Sequence, residues 1–190
     1  MPFKIIGISG SLNRPSRTRA LVEAAVVRVA ARYDVTGAVF DLGDFGPSLG
    51  SAGRLSDLSP IARAAVDTIL SADALVVASP VYKGSYTGLF KHLFDLIDPA
   101  ALVAKPVLLA ATGGGDRHAL VIEHQLRPLL AFFEAQTLAT GVYASDVDFS
   151  DGQPTAPSLL ARLDRAIDQF SRYLPTRQAA FSAPRVPVFA

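Results

Sequence analysis

Hydroxyl-bearing residues and one arginine follow the first apolar run of the chain, at 5–8. They are Ser9, Ser11, Ser16, Arg17 and Thr18. Hydroxyls donate hydrogen bonds to an oxyanion, and a guanidinium binds it as a charged fork. A helix that begins near Ser16 adds N–H groups that lack partners within the helix, together with the positive end of its dipole. This stretch therefore predicts a phosphate site between a strand and a helix.

Familiar motifs for other phosphate or acyl chemistry are absent from the sequence. Neither the P-loop pattern G-x-x-x-x-G-K-[ST] nor the dinucleotide pattern G-x-G-x-x-G occurs. The G-x-S-x-G pattern of a hydrolase nucleophile is also missing around Ser9 and Ser11. Taken alone, the first stretch is equally consistent with Ser16 as an ordinary helix N-cap and with hydroxyls that satisfy a turn.

Two further loops support the ligand interpretation. The apolar run 74–78 leads into Ser79-Pro80-Val81-Tyr82-Lys83-Gly84, and the run 106–111 leads into Thr112-Gly113-Gly114-Gly115-Asp116. Glycine lets a backbone approach a ligand closely. The carboxyl ends of parallel strands lie at one edge of a sheet, where such proteins bind ligands. Loops after the first, third and fourth strands thus predict one nucleotide site.

Composition restricts the chemistry. The 190 residues carry a net charge of +1, contain no cysteine and have methionine at Met1 only. Disulfides, thiolate catalysis and Cys-ligated metals are excluded, and the three histidines lack metal-ligand spacing, so no metal is expected. Near-neutral charge gives no case for nucleic acid or an anionic membrane surface. Without an apolar run of membrane-spanning length or a leader pattern, we expect a cytoplasmic protein.

Alternating apolar runs and amphipathic segments predict an α/β domain. The strands are predicted at 3–9, 35–40, 74–78, 106–111 and 137–143. The helices are predicted at 16–32, 60–72, 87–98, 117–135 and 158–173. Right-handed crossovers then give a three-layer α/β/α sandwich with a five-stranded parallel sheet in the order 2-1-3-4-5. The connection 41–57 is expected over one side of the site, and 145–157 is expected to be a polar turn region.

Features at the later helices and the C-terminus bear on assembly. The helices 87–98 and 117–135 are apolar on more than one face, which predicts a homodimer or homotetramer. Pro128 is expected to kink the second of these helices. Residues 1–174 form the predicted domain, and the segment 175–190 is expected to be loose or packed on a neighbouring subunit.

The three loops resemble those of the NAD(P)H-dependent FMN reductases, which have a flavodoxin-like fold. The resemblance runs from about residue 4 to 149, and its best match is the reductase component of two-component alkanesulfonate and methanesulfonate monooxygenase systems. It implies that the FMN phosphate is held by Ser11, Ser16, Arg17 and Thr18. It implies that Pro80, Val81, Tyr82, Lys83 and Gly84 wrap the ribityl chain and the isoalloxazine. It further implies that Thr112, Gly113 and Gly114 face the pyrimidine edge, and that a π-helical insertion lies near His124.

The activity implied by this resemblance is hydride transfer from NADH or NADPH to FMN, with the reduced FMN supplied to a partner monooxygenase. The cofactors carry the chemistry, so no catalytic side chain is assigned. Scarce sulfur in the sequence favours a role in sulfonate-type sulfur assimilation. Alternatives are a quinone or azo reductase that retains its FMN and, less favoured because carriers are usually acidic, a flavodoxin-type electron carrier. The preference between NADH and NADPH stays open.

Overall fold

Six parallel strands form the central sheet of the computed structural model, which describes residues 3–176. They are β1 (Phe3–Ser9), β2 (Val35–Asp41), β3 (Ala74–Pro80), β4 (Pro106–Gly113), β5 (Gln136–Thr137) and β6 (Val142–Ser145). The strands β2, β1, β3 and β4 lie in that order, and β5 and β6 both pair with β4. The predicted flavodoxin-like order 2-1-3-4-5 is therefore confirmed, with the fifth position shared by two short strands.

The break in the fifth position differs from the continuous strand predicted at 137–143. Between β5 and β6, the Thr140 N–H donates to the side chain of Gln169 at 3.2 Å instead of to a strand. At Gly141 a Cβ atom would lie 2.7 Å from the Ile122 side chain. Thr140 and Gly141 therefore contact side chains from outside the sheet, and the strand pairing with β4 is interrupted at these two residues.

Helices cover both faces of the sheet. They are α1 (Arg17–Arg32), α2 (Ser48–Ser51), α3 (Pro60–Leu70), α4 (Gly88–Asp95), α5 (Arg127–Phe132) and α6 (Pro157–Asp168). Side chains alternate along a strand, so Ile5 packs with the core under α1 and α6, while Ile6 and Ile8 pack with the core under α3 and α4. Several predicted helices end early, and the last turn, 169–172, is a 3-10 helix.

Two strand glycines let α1 lie close to the sheet. A Cβ at Gly7 would lie 2.3 Å from Val22, and one at Gly37 would lie 2.5 Å from Val26. Ser16 caps the helix, since its hydroxyl accepts from the Arg19 N–H at 3.2 Å. The first turn of α1 is thereby held beside the carboxyl edge of the sheet.

The prediction of a single α-helix over 117–135 is wrong, because three helical segments of different type occupy this stretch. A 3-10 turn at Asp116–His118 precedes a π-helix at Ile122–Leu126, and α5 follows. The π-helix contains His124, which confirms the predicted insertion. Pro128 lies in the first turn of α5, directly after the π-helix, and the predicted kink stays a prediction.

The two polar connections contain secondary structure that was not predicted from the sequence. The stretch 41–57 holds 3-10 turns at Leu42–Phe45 and Leu55–Asp57 and the short α2, which contacts α4. Most of the apolar surface of α4 is consequently buried within the chain itself. The stretch 145–157 forms an antiparallel hairpin of β7 (Phe149–Ser150) and β8 (Gln153–Pro154).

The end of the described chain returns to the start of β2. The Pro175 carbonyl accepts from the Asp34 N–H at 3.0 Å, and Thr176 bridges to Tyr33. Residues 177–190 lie outside the described residues, so the division into a domain at 1–174 and a tail at 175–190 stays a prediction. Within residues 3–176, no helix is long and apolar enough to cross a membrane.

Candidate functional site

A cavity of about 840 Å³ opens at the carboxyl edge of the sheet. The loops after β1, β3, β4 and β6 line it, together with the first turns of α1 and the β7–β8 hairpin. Ten of the thirteen predicted binding residues line this cavity: Ser11, Ser16, Arg17, Thr18, Pro80, Val81, Tyr82, Thr112, Gly113 and Gly114. Ser9, Lys83 and Gly84 are not among the lining residues.

The start of α1 forms one end of the cavity. Thr18 and Thr112 share a buried hydrogen bond of 2.6 Å between their hydroxyls, which ties the first turn of α1 to β4. The Ser11 hydroxyl accepts from the Asn13 N–H at 3.1 Å and so shapes the loop before the helix. The first N–H groups of α1 lack partners within the helix, and apart from the Arg19 N–H, which donates to the Ser16 hydroxyl, they can donate to an anion at this end.

Ser9 differs from the other predicted hydroxyl residues. It is the last residue of β1, is fully buried and has no hydrogen-bond partner for its hydroxyl among the described residues. Strand alternation places Ser9 on the same face as Ile5, beneath α1. Its side chain therefore lies under the cavity rather than on its wall, and the structure gives no support for a contact with a ligand.

The loop after β3 contains a two-residue turn with Lys83 and Gly84 at its tip. Tyr82 and Ser85 exchange backbone hydrogen bonds of 2.8 and 3.1 Å, and Lys83 and Gly84 have φ of 52° and 84°. This is the geometry of a type I′ turn. Both tip residues are exposed, which explains why neither lines the cavity although Tyr82 does. The Ser85 hydroxyl donates to Gln125 of the π-helix at 3.0 Å.

Gly113, the last residue of β4, and Gly114, which follows it, are needed as glycines for different physical reasons. A Cβ at Gly113 would lie 2.3 Å from the hydroxyl oxygen of Tyr143, and that hydroxyl donates to the Gly115 carbonyl at 2.6 Å. Burial raises the pKa of Tyr143, and Asp116 adds to the shift, so the phenol stays protonated at neutral pH. At Gly114 a Cβ would meet nothing within 4 Å. Gly113 thus accommodates Tyr143, whereas Gly114 leaves open space at the cavity.

A network of two arginines and two aspartates beside the cavity was not predicted. Arg14 donates to Asp41 at 2.9 and 2.6 Å and to Asp44 at 2.6 Å. Arg19 donates to Asp41 at 2.7 Å and to Asp44 at 3.2 Å, and it also pairs with Glu23. Burial alone would raise the pKa of the fully buried Asp41, but hydrogen bonds from both arginines outweigh burial and lower it.

The β7–β8 hairpin and the turn before it form a second unpredicted part of the wall. Phe149, Asp151 and Gln153 line the cavity, and Asp146 pairs with Arg17 at 2.6 Å. The tip Asp151-Gly152 has φ of 49° and 77°. An Asp-Gly pair is a strong short-range signal for a hairpin, so the sequence contains a signal for this one.

The site fits a phosphorylated planar ligand such as FMN. Hydroxyls and helix N–H groups converge at one end, Tyr82 and Val81 stand along another wall, and Gly114 leaves the backbone accessible. The volume lies within the range of roughly 300–1,000 Å³ that is usual for small-molecule sites. Fold and site together define a flavodoxin-like mononucleotide-binding protein, with the site where the strand order reverses.

Comparisons with known proteins give the family. The sequence model of the NADPH-dependent FMN reductases matches residues 3–149. The chain is 48% identical over 177 residues to the NADH-dependent FMN reductase SfnF of Pseudomonas fluorescens, covering 91% of this chain and 95% of the relative. It is 48% identical over 168 residues to an NADPH-dependent FMN reductase of Pseudomonas aeruginosa, covering 88% and 90%.

A solved structure agrees with these relatives. The apo form of the NADH:FMN oxidoreductase EMOB matches with a TM-score of 0.77 and 34% identity, covering 96% of this chain and 97% of that one. The chain belongs to the NADPH-dependent FMN reductase family. It is an oxidoreductase that uses FMN, with NADH or NADPH as the reductant, as predicted from the three loops.

Proposed function

We propose that the protein reduces FMN as a diffusible substrate and supplies the product to a separate flavin-dependent monooxygenase. The observation that carries this proposal is the charge at the cavity. Each of its arginines, Arg14, Arg17 and Arg19, is already paired with a carboxylate of the protein. An incoming phosphate meets hydroxyl and N–H dipoles and one guanidinium, that of Arg17, which already has a carboxylate partner, and this favours modest affinity and release after reduction.

In this proposal the phosphate is held by Ser11, Ser16, Thr18, the first N–H groups of α1 and the guanidinium of Arg17. The ring system lies along Pro80, Val81 and Tyr82, and its pyrimidine edge faces the backbone of Gly113 and Gly114. Ten lining positions and the open space at Gly114 support this placement. Contacts from Ser9, Lys83 and Gly84 have no such support.

FMN, when bound, accepts the hydride that NAD(P)H donates, and no protein group has to transfer a proton for that step. The work of the side chains is then to hold the two reactants in contact and in the right orientation. Tyr82 lines the cavity at the residue that precedes the two-residue turn, and its hydroxyl accepts from Asn13 at 3.4 Å. Tyr82 is therefore a wall that orients the ring, not an acid or base.

The biological setting is the finer part of the proposal. The resemblance to reductases of alkanesulfonate and methanesulfonate monooxygenase systems supports a cytoplasmic role in sulfonate-type sulfur assimilation. A chain with no cysteine and with methionine only at Met1 is suited to synthesis when sulfur is scarce. A homodimer or homotetramer is supported by Leu120 and Phe132, which are 64% and 69% exposed near the π-helix and in α5.

The test begins with flavin-stripped protein and initial rates of NADH and NADPH oxidation with and without free FMN. Saturable dependence on FMN, with reduced flavin leaving the protein at each turnover, is the expected result, and it also gives the nucleotide preference. Turnover that requires retained flavin and an added quinone or azo dye would instead identify the alternative reductase. Sedimentation at micromolar concentration tests association, and a monomer would contradict it.

A further inference from the structure

An ion pair crosses the phosphate end of the cavity. The guanidinium of Arg17, in the first turn of α1, lies 2.6 Å from the carboxylate of Asp146, in the turn after β6. The two side chains are 48% and 49% exposed, and both line the cavity. The pair is thus accessible to a ligand and is not locked into the core.

The backbone at Asp146 is held by its own turn and not by Arg17. The Ser145 N–H donates to Asp148 at 2.7 Å, and the Ser145 hydroxyl donates to the same carboxylate at 3.2 Å. This capping box holds the 3-10 turn that carries Asp146, directly after β6. The backbone of Asp146 is therefore held at the cavity whether or not its carboxylate contacts Arg17.

A phosphate and this carboxylate cannot both have the full benefit of Arg17. Both are anions that seek the same fork of N–H donors. If they bind it together, they repel each other, and if Arg17 turns to the phosphate, Asp146 loses its partner. Either way the ion pair in the free protein opposes FMN binding.

We propose that Asp146 is a positioning residue that competes with the FMN phosphate for Arg17, keeps the affinity for FMN low and speeds FMN release. This inference rests on the proposed function, because it requires the phosphate to lie at the start of α1. The role is new for Asp146, because hydride transfer from NAD(P)H to FMN requires no carboxylate. Removing the Asp146 carboxylate should strengthen FMN binding, whereas a substitution that merely disrupts the site would weaken it.

The test compares FMN with riboflavin, which lacks the phosphate, by equilibrium fluorescence titration and by stopped-flow measurement of flavin release. Asp146→Asn is expected to lower the Kd for FMN about 3- to 10-fold, the range of a partly exposed ion pair plus local repulsion. The rate of FMN release should fall by a similar factor. The Kd for riboflavin should stay within about twofold, since riboflavin has no group that needs Arg17.

Asp151→Asn is the matched control. Asp151 lines the same cavity, and the substitution removes the same charge, but Asp151 makes no ion pair with Arg17. Asparagine also tolerates the φ of 49° at this position. A smaller effect for Asp151→Asn than for Asp146→Asn is expected. Equal tightening by both variants would overturn the pairwise competition, because the net charge of the cavity would then account for it.

Arg17→Gln separates this inference from the proposed function. If Arg17→Gln weakens FMN but not riboflavin, the phosphate lies at Arg17, and a failure of Asp146→Asn to tighten FMN then refutes the competition alone. If Arg17→Gln changes both flavins equally or neither, the proposed phosphate site is wrong, and the inference falls with it. In the double variant, Asp146→Asn should no longer tighten FMN, since the contested partner is absent.

Discussion

The carboxylate of Asp41 connects the end of β2 to the loop that precedes α1, and its removal should destabilise the protein. Asp41 is fully buried and accepts from Arg14 at 2.9 and 2.6 Å, from Arg19 at 2.7 Å and from the Gly43 N–H at 2.8 Å. Asp41→Asn keeps the shape of the side chain. It replaces one acceptor oxygen by an NH₂ group that faces a guanidinium, so at least one charged hydrogen bond is lost.

Two considerations determine the magnitude. Breaking a fully buried ion pair costs about 3–5 kcal/mol, but the side chains of Arg14 and Arg19 are 55% and 29% exposed and both still contact Asp44. The released guanidiniums regain water, so the loss is that of hydrogen bonds to a charged group, roughly 1.5–3 kcal/mol. We expect Asp41→Asn to lower the free energy of unfolding by about 2 kcal/mol and Tm by about 4–8 °C.

The pH dependence supplies a second signature of the same interaction. The pKa of Asp41 is lower in the folded state than in the unfolded state, so the carboxylate stabilises the fold above the unfolded pKa. This contribution is lost as the pH falls through the folded pKa. The difference in Tm between the wild type and Asp41→Asn should therefore be full at pH 7 and shrink with acidification below about pH 4.

Thermal unfolding followed by circular dichroism at pH 7 and at steps down to pH 3 measures both signatures. The control is Asp67→Asn, which breaks an exposed pair with Arg63 along α3 and should change stability by less than about 0.5 kcal/mol. An Asp41→Asn protein as stable as the control at pH 7 would refute the reasoning. So would a Tm difference that stays constant across the acid range.

Three other substitutions test the cavity wall. Gly113→Ala should lower the free energy of unfolding by about 1–3 kcal/mol and weaken FMN binding, since the new Cβ would meet the Tyr143 hydroxyl at 2.3 Å. Adding Tyr143→Phe removes that hydroxyl and should recover part of both the stability and the FMN affinity. Lys83→Asn should raise the free energy of unfolding by about 0.5–1 kcal/mol in denaturant titration, because asparagine suits a φ of 52°. A change in FMN affinity of more than twofold in this variant would mean that Lys83 contacts the ligand. Thr18→Val should lower the free energy of unfolding by about 1–3 kcal/mol, because it leaves the buried Thr112 hydroxyl without a partner. Adding Thr112→Val should restore stability, and a double variant that is less stable still would show that the two hydroxyls contribute separately.

The parts of the fold that were predicted from sequence are those with unambiguous local patterns. The run at 74–78 is apolar at every position, which is typical of a central parallel strand, and β3 lies between β1 and β4. Once the strand order was known, the loops after β1, β3 and β4 had to meet at one edge. That topological argument explains why ten of the thirteen predicted binding residues line one cavity.

The parts that were missed depend on contacts between distant residues. Arg14 and Asp41 are 27 positions apart, and no spacing rule pairs them. Lys83 and Gly84 do not line the cavity for another reason, since they form the exposed tip of a two-residue turn, and their contacts with a ligand stay a prediction. For the β7–β8 hairpin the signal was present, because Asp151-Gly152 is a turn pair, but the flanking strands are too short for an alternating pattern.

The distribution of charge around the cavity relates the structure to a reductase whose flavin has to leave. A free guanidinium at a helix N-terminus would hold a phosphate tightly, and tight binding of substrate and product alike gives no gain in the rate of turnover. Here Arg14 and Arg19 are engaged by Asp41 and Asp44, so they shape the loop before α1 instead of binding the ligand. In the proposed site, phosphate is then recognised by hydroxyls, by backbone N–H groups and by Arg17, whose charge Asp146 partly offsets. On this argument, the donors at the start of α1 recognise the phosphate, and the carboxylates beside them keep its binding weak enough for FMN to be released.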